Sequence, residues 1–437
     1  MTLEKNDPRV SPNASLRRLF RRIKRHPLAR VGPGLITGVA DDDPSGIATY
    51  SQAGAQYGLN MLWMMPLTYP MMAAIQSMCA RIGRVTGRGL AANIKSNFHP
   101  AILLGVITLL VIANTLNIAA DVAAMGEVGE LITGINRHLM TFLFVFLTII
   151  LQIFIPYHRY VRLLKWLTLS LLAYAAVLFT VNVPWGEVLS RTFWPRFRPD
   201  AEAAAVIVGV FGTTISPYLF FWQASEEVED MRVNGRPSSF TGHPHSAEKE
   251  LRRIRWDTWS GMLYSNVTAF FIILATAVTL HAVGIQNIET AAQAASALRP
   301  LAGDFAFLLF AMGIIGVGLI GVPVLAGSAA YAVSEAMNWE WGLERKATDA
   351  HGFYGVIALS VLAGLVIQYL PISPMKALFW SAIINGVIAV PLMSVIIILA
   401  SRKAVMGAFV ANRWIILLGW LTVAAMGAAS VRLFIPG

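Results

Sequence analysis

Asp41-Asp42-Asp43-Pro44-Ser45-Gly46 interrupts an apolar run that extends from Gly32 to about Leu59. A carboxylate at the centre of a membrane-spanning helix costs about 3 kcal/mol on insertion scales. A proline followed by serine and glycine also breaks the helical hydrogen-bond ladder and frees backbone carbonyl oxygens. This stretch therefore predicts a helix that is broken halfway across a bilayer, with its oxygen atoms arranged to bind a cation.

Composition assigns the chain to the integral membrane proteins. Of its 437 residues, 56% are hydrophobic and only 13% are charged, which is too apolar for a soluble globular protein. The net charge of +10 is concentrated in residues 1–31, where nine Lys and Arg residues accompany two acids. We predict that this basic arm is cytoplasmic and binds anionic lipid at the bilayer surface, and we predict no nucleic-acid partner.

Hydropathy over a window of about 20 residues predicts about eleven membrane-spanning segments. They lie near residues 33–57, 60–81, 103–132, 139–156, 163–182, 203–224, 259–283, 305–333, 354–370, 376–400 and 413–434. Loops rich in Lys and Arg alternate on the side of the amino terminus, which predicts a cytoplasmic amino terminus. Because the number of spans is odd, we expect the carboxyl terminus outside, in a bacterial-type inner membrane.

A second irregularity lies in the sixth segment. There Gly212-Thr213-Thr214-Ile215-Ser216-Pro217-Tyr218 places hydroxyls and a proline within an apolar run. Two interrupted spans, five segments apart, are typical of inverted-repeat transporters, whose broken helices meet at the bilayer midplane. We therefore predict a first repeat at 32–183 with helices 1 to 5, a second at 202–400 with helices 6 to 10, and an additional helix at 411–437.

The two breaks together predict a metal site. Unwound carbonyls at Ala40 and Thr213, with the Asp43 side chain, would form an oxygen-rich cage. Adjacent residues on a helix point apart, so at most one of Asp41 and Asp42 can face the ion with Asp43. We assign Asp41 and Asp42 to the approach path, where their charge attracts hydrated cations.

Several short motifs resemble those of one family of transporters. They are Gly32-Pro33-Gly34, Gln52-Ala53-Gly54-Ala55, Cys79-Ala80-Arg81-Ile82-Gly83, Ile118-Ala119-Ala120-Asp121-Val122-Ala123 and Ser328-Ala329-Ala330-Tyr331. These motifs are similar to those of the NRAMP divalent metal transporters, over about residues 32 to 400. The resemblance implies an all-α membrane protein with the LeuT-type inverted-repeat fold (5+5), about eleven transmembrane helices with helices 1 and 6 broken, and alternating access around a central metal site.

The chain departs from this family at the metal-binding positions. NRAMP manganese and iron transporters carry Asp-Pro-Gly-Asn and Met-Pro-His at the two breaks, whereas Gly46 and Ser216 here replace the asparagine and the methionine. A site of carboxylate, hydroxyl, carbonyl and water favours hard cations, and the lost volume suits Mg²⁺, which gives up its water reluctantly. The pattern resembles the NRAMP-related magnesium transporters. We predict Mg²⁺, with Mn²⁺ as a co-substrate, as the transported ion, and no cofactor.

The same comparison with the NRAMP family predicts transport without proton coupling. Asn114, Asn117 and Asp121 share one face of the third segment, and Ala124 continues it. Proton-coupled relatives carry acids at the positions of Asn114, Asp121 and Ala124, and only Asp121 remains here. Tyr218 and Gln223 stand where those relatives have histidines, and neither titrates near neutral pH. A divalent cation that moves down 100 mV gains about 4.6 kcal/mol, which is sufficient to drive uptake.

Three other readings stay open at this point. A proton-coupled Mn²⁺/Fe²⁺ transporter of the NRAMP type is one, and an amino-acid or amine symporter of the same fold is another, although Asp43 would repel a substrate carboxylate. A membrane-embedded hydrolase could use Asp121 or Ser216, but no Ser/His/Asp set or His-Glu-x-x-His motif supports it, so we predict no enzymatic activity.

Asn385 lies near where the relatives place a glutamine beside the metal, and a polar contact between helices explains it equally well.

Overall fold

A computed structural model describes residues 33–155, 170–196, 201–233, 235, 240, 244–367, 369 and 372–435. Within these ranges the chain is helical and contains no strand. The predicted basic arm at 1–31 and the first part of the predicted fifth span, up to residue 169, lie outside the described residues.

The α-helices of the described ranges are numbered in chain order. They are α1 (Pro33–Asp41), α2 (Pro44–Tyr57), α3 (Met64–Thr86), α4 (Leu90–Asn97), α5 (Pro100–Thr133), α6 (Arg137–Phe154), α7 (Leu172–Val177), α8 (Trp185–Phe193), α9 (Ala201–Thr214), α10 (Pro217–Val233), α11 (Pro244–Thr279), α12 (Ala291–Ala295), α13 (Arg299–Ala302), α14 (Ala306–Met337), α15 (His351–Ile367), α16 (Pro374–Ser401), α17 (Lys403–Met406) and α18 (Arg413–Phe434).

Seven stretches of the described residues are long and apolar enough to cross a membrane. They are Pro100–Thr133, Arg137–Phe154, Ala201–Val233, Ala247–Val283, Ala291–Met337, Pro374–Ser401 and Arg413–Phe434. The first predicted span corresponds to α1 and α2, the second to α3, and the ninth to the shorter apolar helix α15. The protein is therefore a multi-pass, all-α membrane protein.

Both predicted helix breaks are present. The helix α1 ends at Asp41 and α2 begins at Pro44, while α9 ends at Thr214 and α10 begins at Pro217. Each new helix starts with proline, which has no N–H to donate and whose fixed φ suits the first helical turn. The sequence thus ends one helix and starts the next within two residues.

Glycines allow both broken helices to approach their neighbours closely. A Cβ on Gly38 of α1 would lie 2.7 Å from the Cα of Gly261 in α11. A Cβ on Gly212 of α9 would lie 2.7 Å from the Cα of Gly386 in α16. Any side chain at Gly38 or Gly212 would therefore push the helices apart, and these crossings hold the two breaks in the centre of the helix bundle.

Candidate metal site

Asp43 lies in the first break and caps α2. Its backbone is extended (φ −68°, ψ 173°), and its Oδ1 accepts a hydrogen bond from the Gly46 N–H at 2.8 Å. Aspartate is among the preferred N-cap residues because its carboxylate satisfies an otherwise unpaired N–H of the first turn. The residue that starts α2 therefore also places a negative charge, 1% exposed, inside the bundle.

The second oxygen of Asp43 is held by two other helices. Asn117 of α5 donates to Oδ2 at 2.9 Å, and the Tyr218 hydroxyl of α10 lies 3.3 Å from it. The same Tyr218 hydroxyl donates to the Ala40 carbonyl at 3.1 Å. Ser381 of α16 supports the arrangement, because its Oγ lies 2.7 Å from the Asn117 Oδ1. The carboxylate is thus oriented by side chains from α5, α10 and, indirectly, α16.

The second break meets the first one at Gly46. A Cβ on Gly46 would lie 3.2 Å from the Thr213 Oγ1 and 3.4 Å from the Tyr50 ring. Ser216 turns its hydroxyl to its own helix, 2.7 Å from the Thr213 carbonyl and 2.9 Å from the Gly212 carbonyl. A Cβ at position 46 would therefore meet Thr213 and Tyr50, and the space expected for a hydrated ion at Gly46 stays a prediction.

The oxygen atoms near the break include one that has no described partner. The Thr213 Oγ1 is buried and makes no hydrogen bond within the described chain, although it lies against the first turn of α2. Carboxylate, hydroxyl and carbonyl oxygens are the donors that hard cations prefer. In the described residues, no group of three or more His, Cys, Asp or Glu side chains could hold a metal ion. A cation at the breaks would thus rely on Asp43 and neutral oxygens.

Asp41 and Asp42 do not line an open approach in this structure. They are 0% and 1% exposed, and the Ser265 hydroxyl of α11 bonds both carboxylates. The crossing of α1 over α11 covers both side chains, and their role on an approach path stays a prediction. One oxygen of each carboxylate has no hydrogen-bond partner among the described residues.

The polar residues of α5 divide into two groups. Asn117 contacts Asp43, whereas Asn114 donates to the Leu325 carbonyl of α14 at 2.9 Å and does not reach the carboxylate. Asp121 follows Asn117 by one turn, is 0% exposed, and neither of its oxygens makes a hydrogen bond within the described chain. Of these three residues of α5, only Asn117 makes a hydrogen bond to Asp43 in the described part of the chain.

Gln223 and Asn385 have different surroundings. Gln223 accepts a hydrogen bond from Thr37 of α1 at 2.6 Å and donates to Glu227 at 3.3 Å, so it joins α1 to the inner half of α10. Asn385 is 1% exposed, and neither amide atom has a partner among the described residues. It lies one turn beyond Ser381 on α16, on the face that supports Asn117. Its role beside the ion stays a prediction.

Hydrogen bonds tie both halves of the first broken helix to other parts of the chain. At α1, the Thr37 bond to Gln223 is joined by the Gly34 N–H, which donates to Asp257 of α11 at 2.8 Å. At α2, Gln52 accepts a hydrogen bond from the Ile288 N–H, in the segment between α11 and α12, at 2.9 Å. Asp43, Thr213 and Ser216, between these contacts, are each 1% exposed.

Sequence reasoning missed two hydroxyl residues of this site. Ser381 and Ser265 support Asn117 and the two neighbouring aspartates, but each is a single hydroxyl within an apolar helix. Such residues commonly bond the carbonyl four residues before them, so nothing in the sequence separates these two from the rest.

Comparison with known proteins places the chain in a defined group. A family model described as natural resistance-associated macrophage protein-like (Nramp) matches residues 34–436. The chain is 27% identical over 421 residues to the divalent metal cation transporter MntH of Acidiphilium cryptum (strain JF-5), with 94% of this chain and 89% of the relative covered. It is 28% identical over 377 residues to MntH of Verminephrobacter eiseniae (strain EF01-2), with 80% of each covered.

Solved structures show the same fold. The Eremococcus coleocola manganese transporter superposes with a TM-score of 0.73 at 16% identity, covering 94% of this chain and 87% of that one. Mhp1, a nucleobase-cation-symport-1 family transporter, superposes in a closed conformation with a TM-score of 0.56 at 13% identity, covering 92% of each chain. The predicted LeuT-type fold with two broken helices is confirmed.

Proposed function

The chain belongs to the Nramp family, and on that premise we propose that it carries divalent metal cations across a membrane, with Mg²⁺ preferred and Mn²⁺ accepted. Its relatives are named for divalent metal cations or manganese, which supports the cation class. Transport proceeds by alternating access, with the site opening in turn to each face. We assign no enzymatic activity and no cofactor.

One observation carries the preference for Mg²⁺. Asp43 lies where the two breaks meet, and the side chains that bond it, Asn117 and Tyr218, offer only oxygen and amide atoms. No thioether is present at position 216, where Ser216 stands. Sulfur ligands favour late transition metals, whereas oxygen ligands favour Mg²⁺ and Mn²⁺.

The groups around the site support the proposal of uptake without proton coupling. Asp121 is the one acid left on its face of α5, and Gln223 is occupied by hydrogen bonds to Thr37 and Glu227. A membrane potential of 100 mV supplies about 4.6 kcal/mol to a divalent cation, which supports a gradient on the order of a thousandfold. The potential alone is therefore a sufficient driving force.

The orientation proposed for the protein follows the distribution of Lys and Arg. The amino terminus is cytoplasmic, the carboxyl terminus lies outside, and the membrane is a bacterial-type inner membrane. In this orientation the contact of Thr37 with Gln223 closes the cytoplasmic side, and the contact of Gln52 with Ile288 closes the outer side.

The names of the relatives, which give divalent metal cations or manganese, favour a second candidate, a transporter that prefers manganese. Proton coupling in such a transporter is what the resemblance to the classical NRAMP proteins implies. An amino-acid or amine symporter is disfavoured, because the buried Asp43 charge would repel a substrate carboxylate at the site.

Flux measurements in proteoliposomes test the proposal. Mg²⁺, Mn²⁺ and Ca²⁺ influx would be compared at a fixed membrane potential, with a pH dye in the lumen and Asp43→Ala as the inactive control. We expect Mg²⁺ and Mn²⁺ influx without acidification, and Ca²⁺ influx that is slower. Ser216→Met restores a sulfur ligand, so it is expected to raise Mn²⁺ flux relative to Mg²⁺ flux. Manganese influx accompanied by protons, without any magnesium influx, would favour the second candidate.

A further inference from the structure

A cavity lies between α5, α6 and α16, apart from the metal site. Its volume is 190 Å³, and its wall is mostly apolar, formed by Leu116, Ala119, Ala120, Ala123, Trp380 and Ile384. Typical pockets for whole small molecules measure about 300–1,000 Å³, so this cavity has room for a segment of chain. An apolar wall of this kind offers nothing to a hydrated ion.

The mouth of the cavity carries positive charge. Arg137 and His138 form the first turn of α6 and belong to the cavity lining. Arg137 is exposed and makes no ion pair within the described chain. His138 stacks on Tyr369 with ring centroids 5.1 Å apart, and its Nδ1 is buried without a hydrogen-bond partner in the described residues. The start of a helix adds a favourable field for an anion.

Two carboxylates of α5 lie nearby, and the charge of Glu127 interacts with that of Arg137. Glu127 accepts a hydrogen bond from the Ala291 N–H at 2.9 Å, and Glu130 lies one turn nearer to the end of α5. Neither belongs to the cavity lining, and neither forms an ion pair with Arg137 among the described residues. An anionic group at the mouth can therefore reach Arg137 directly.

The surfaces that flank the cavity face the bilayer. Large apolar side chains around it are exposed, including Leu139 and Phe142 of α6 and Trp380 of α16, the last at 56%. Helices with exposed apolar faces of this size lie against lipid tails in a membrane protein. Whatever fills the cavity therefore enters from the lipid phase.

We propose that this cavity is a phospholipid-binding site, with part of an acyl chain between α5, α6 and α16 and the phosphate at Arg137 and His138. The exposed Arg137 guanidinium at the mouth is a group that pairs with phosphate. Ser381 belongs to the lining, and its hydroxyl lies 2.7 Å from the Asn117 Oδ1. The bound chain thus touches the residue that supports the metal site.

Binding to the purified full-length protein tests this proposal with three probes. Dioctanoyl-phosphatidylglycerol has chains and phosphate, glycerol phosphate has only the phosphate, and dioctanoylglycerol has only the chains. We expect binding of the phospholipid at least tenfold tighter than binding of either partial probe. Equal affinity for glycerol phosphate would show a surface anion site. Equal affinity for dioctanoylglycerol would show a nonspecific hydrophobic groove. Either result overturns the proposal.

Variants locate the binding. Arg137→Gln with His138→Gln should weaken phospholipid binding at least tenfold, and Ala120→Leu, which fills the cavity, should do the same. Arg413→Gln is the matched control, because Arg413 also follows an asparagine N-cap at the start of a helix but lines no described cavity. An equal loss with Arg413→Gln, or unchanged binding in both cavity variants that elute as folded protein, overturns the proposal.

Discussion

Asp43→Asn should separate the charge of the metal site from its structural role. The substituted side chain keeps the Oδ1 that caps α2, because asparagine is as good an N-cap as aspartate. Its amide nitrogen would face the Asn117 nitrogen, now 2.9 Å from the Asp43 Oδ2. Rotation of the Asn117 amide resolves this clash, because Ser381 can accept a hydrogen bond while it donates to the Leu378 carbonyl at 2.8 Å.

The expected magnitudes differ sharply for stability and for binding. Since every hydrogen bond can be reformed, Asp43→Asn should change the free energy of unfolding without metal by less than about 1 kcal/mol. Asp43→Ala loses the cap, which costs about 1 kcal/mol, and leaves Asn117 with an unpaired donor, which costs about 1–3 kcal/mol more. For the ion, a unit charge at about 4 Å from a divalent cation contributes on the order of 8 kcal/mol at an effective dielectric constant of about 20. Even half of that corresponds to about a thousandfold loss of affinity.

Thermal unfolding with and without metal provides the assay. Ligand at about 100 times its Kd stabilises a protein by about 2.7 kcal/mol, so the parent should show a metal-dependent rise in Tm. The Asp43→Asn variant should show none, with a Tm close to the metal-free parent. A double variant, Asp43→Asn with Asn117→Asp, keeps the hydrogen bond and moves the charge to α5, and it should not recover transport.

Two results would refute this reasoning. A metal-dependent rise in Tm that persists in Asp43→Asn would show that the carboxylate charge is not the main ligand. A metal-free Asp43→Asn protein as unstable as Asp43→Ala would show that the Asn117 amide cannot rotate, and that the hydrogen bonds here are not exchangeable.

Three further substitutions test other parts of the molecule. Gly46→Ala places a Cβ 3.2 Å from the Thr213 hydroxyl, so the helices must shift by a few tenths of an ångström. We expect slower flux and a free energy of unfolding that is lower by about 1 kcal/mol. Unchanged flux would contradict contact between the two breaks. Thr37→Val removes the 2.6 Å hydrogen bond that ties α1 to α10. Thiol labelling of a cysteine introduced in α1 should then become faster. An unchanged labelling rate would show that this hydrogen bond does not hold the inner side closed. Glu289 lies outside the membrane-spanning stretches, where the hydrogen bond and charge of Lys376, 2.8 Å away, lower its pKa below 4.5. A carboxylate whose pKa is lowered in the folded protein stabilises the fold at pH values above its pKa in the unfolded chain, and this contribution is lost as the pH falls through the folded-state pKa. The small Tm difference between Glu289→Gln and the parent should therefore vanish below pH 4.5. A Tm difference that grows in acid would contradict the ion pair.

The breaks could be predicted from the sequence because their causes are local. An aspartate followed by proline forms an N-cap and a first turn wherever it stands, and the same proline signal marks the start of α10 at Pro217. The positions of α1 and α2 relative to the rest follow from the inverted-repeat pattern. The family, the fold class and both interruptions are therefore confirmed.

Helix ends were less predictable, because hydropathy detects only the apolar part of a helix. The seventh span was predicted to begin near residue 259, but α11 begins at Pro244. Its first turns are polar, including Arg253, which pairs with Glu227 at 3.2 Å. A polar helix outside the bilayer gives no signal in a hydropathy window. The short helices α4 and α8 were missed for the same reason.

The supporting contacts of the site could not be predicted at all. Ser381 and Asn117 are 264 residues apart, and their contact depends on how α16 crosses α5. The burial of Asp41 and Asp42 depends likewise on α11, whose Ser265 hydroxyl bonds both carboxylates. The approach of Thr213 to Gly46 depends on how the two breaks meet. Packing of distant helices decides each of these features.

The double use of Asp43 limits how this position can change in evolution. Asparagine or serine can cap α2 but carries no charge, while glutamate carries the charge on a side chain too long to accept from the Gly46 N–H in the same way. Selection for the start of a helix and selection for a cation therefore act on one side chain. Most substitutions of Asp43 would remove both the ion ligand and the cap of α2. A gradual evolutionary change to another substrate must therefore begin at another residue of the site.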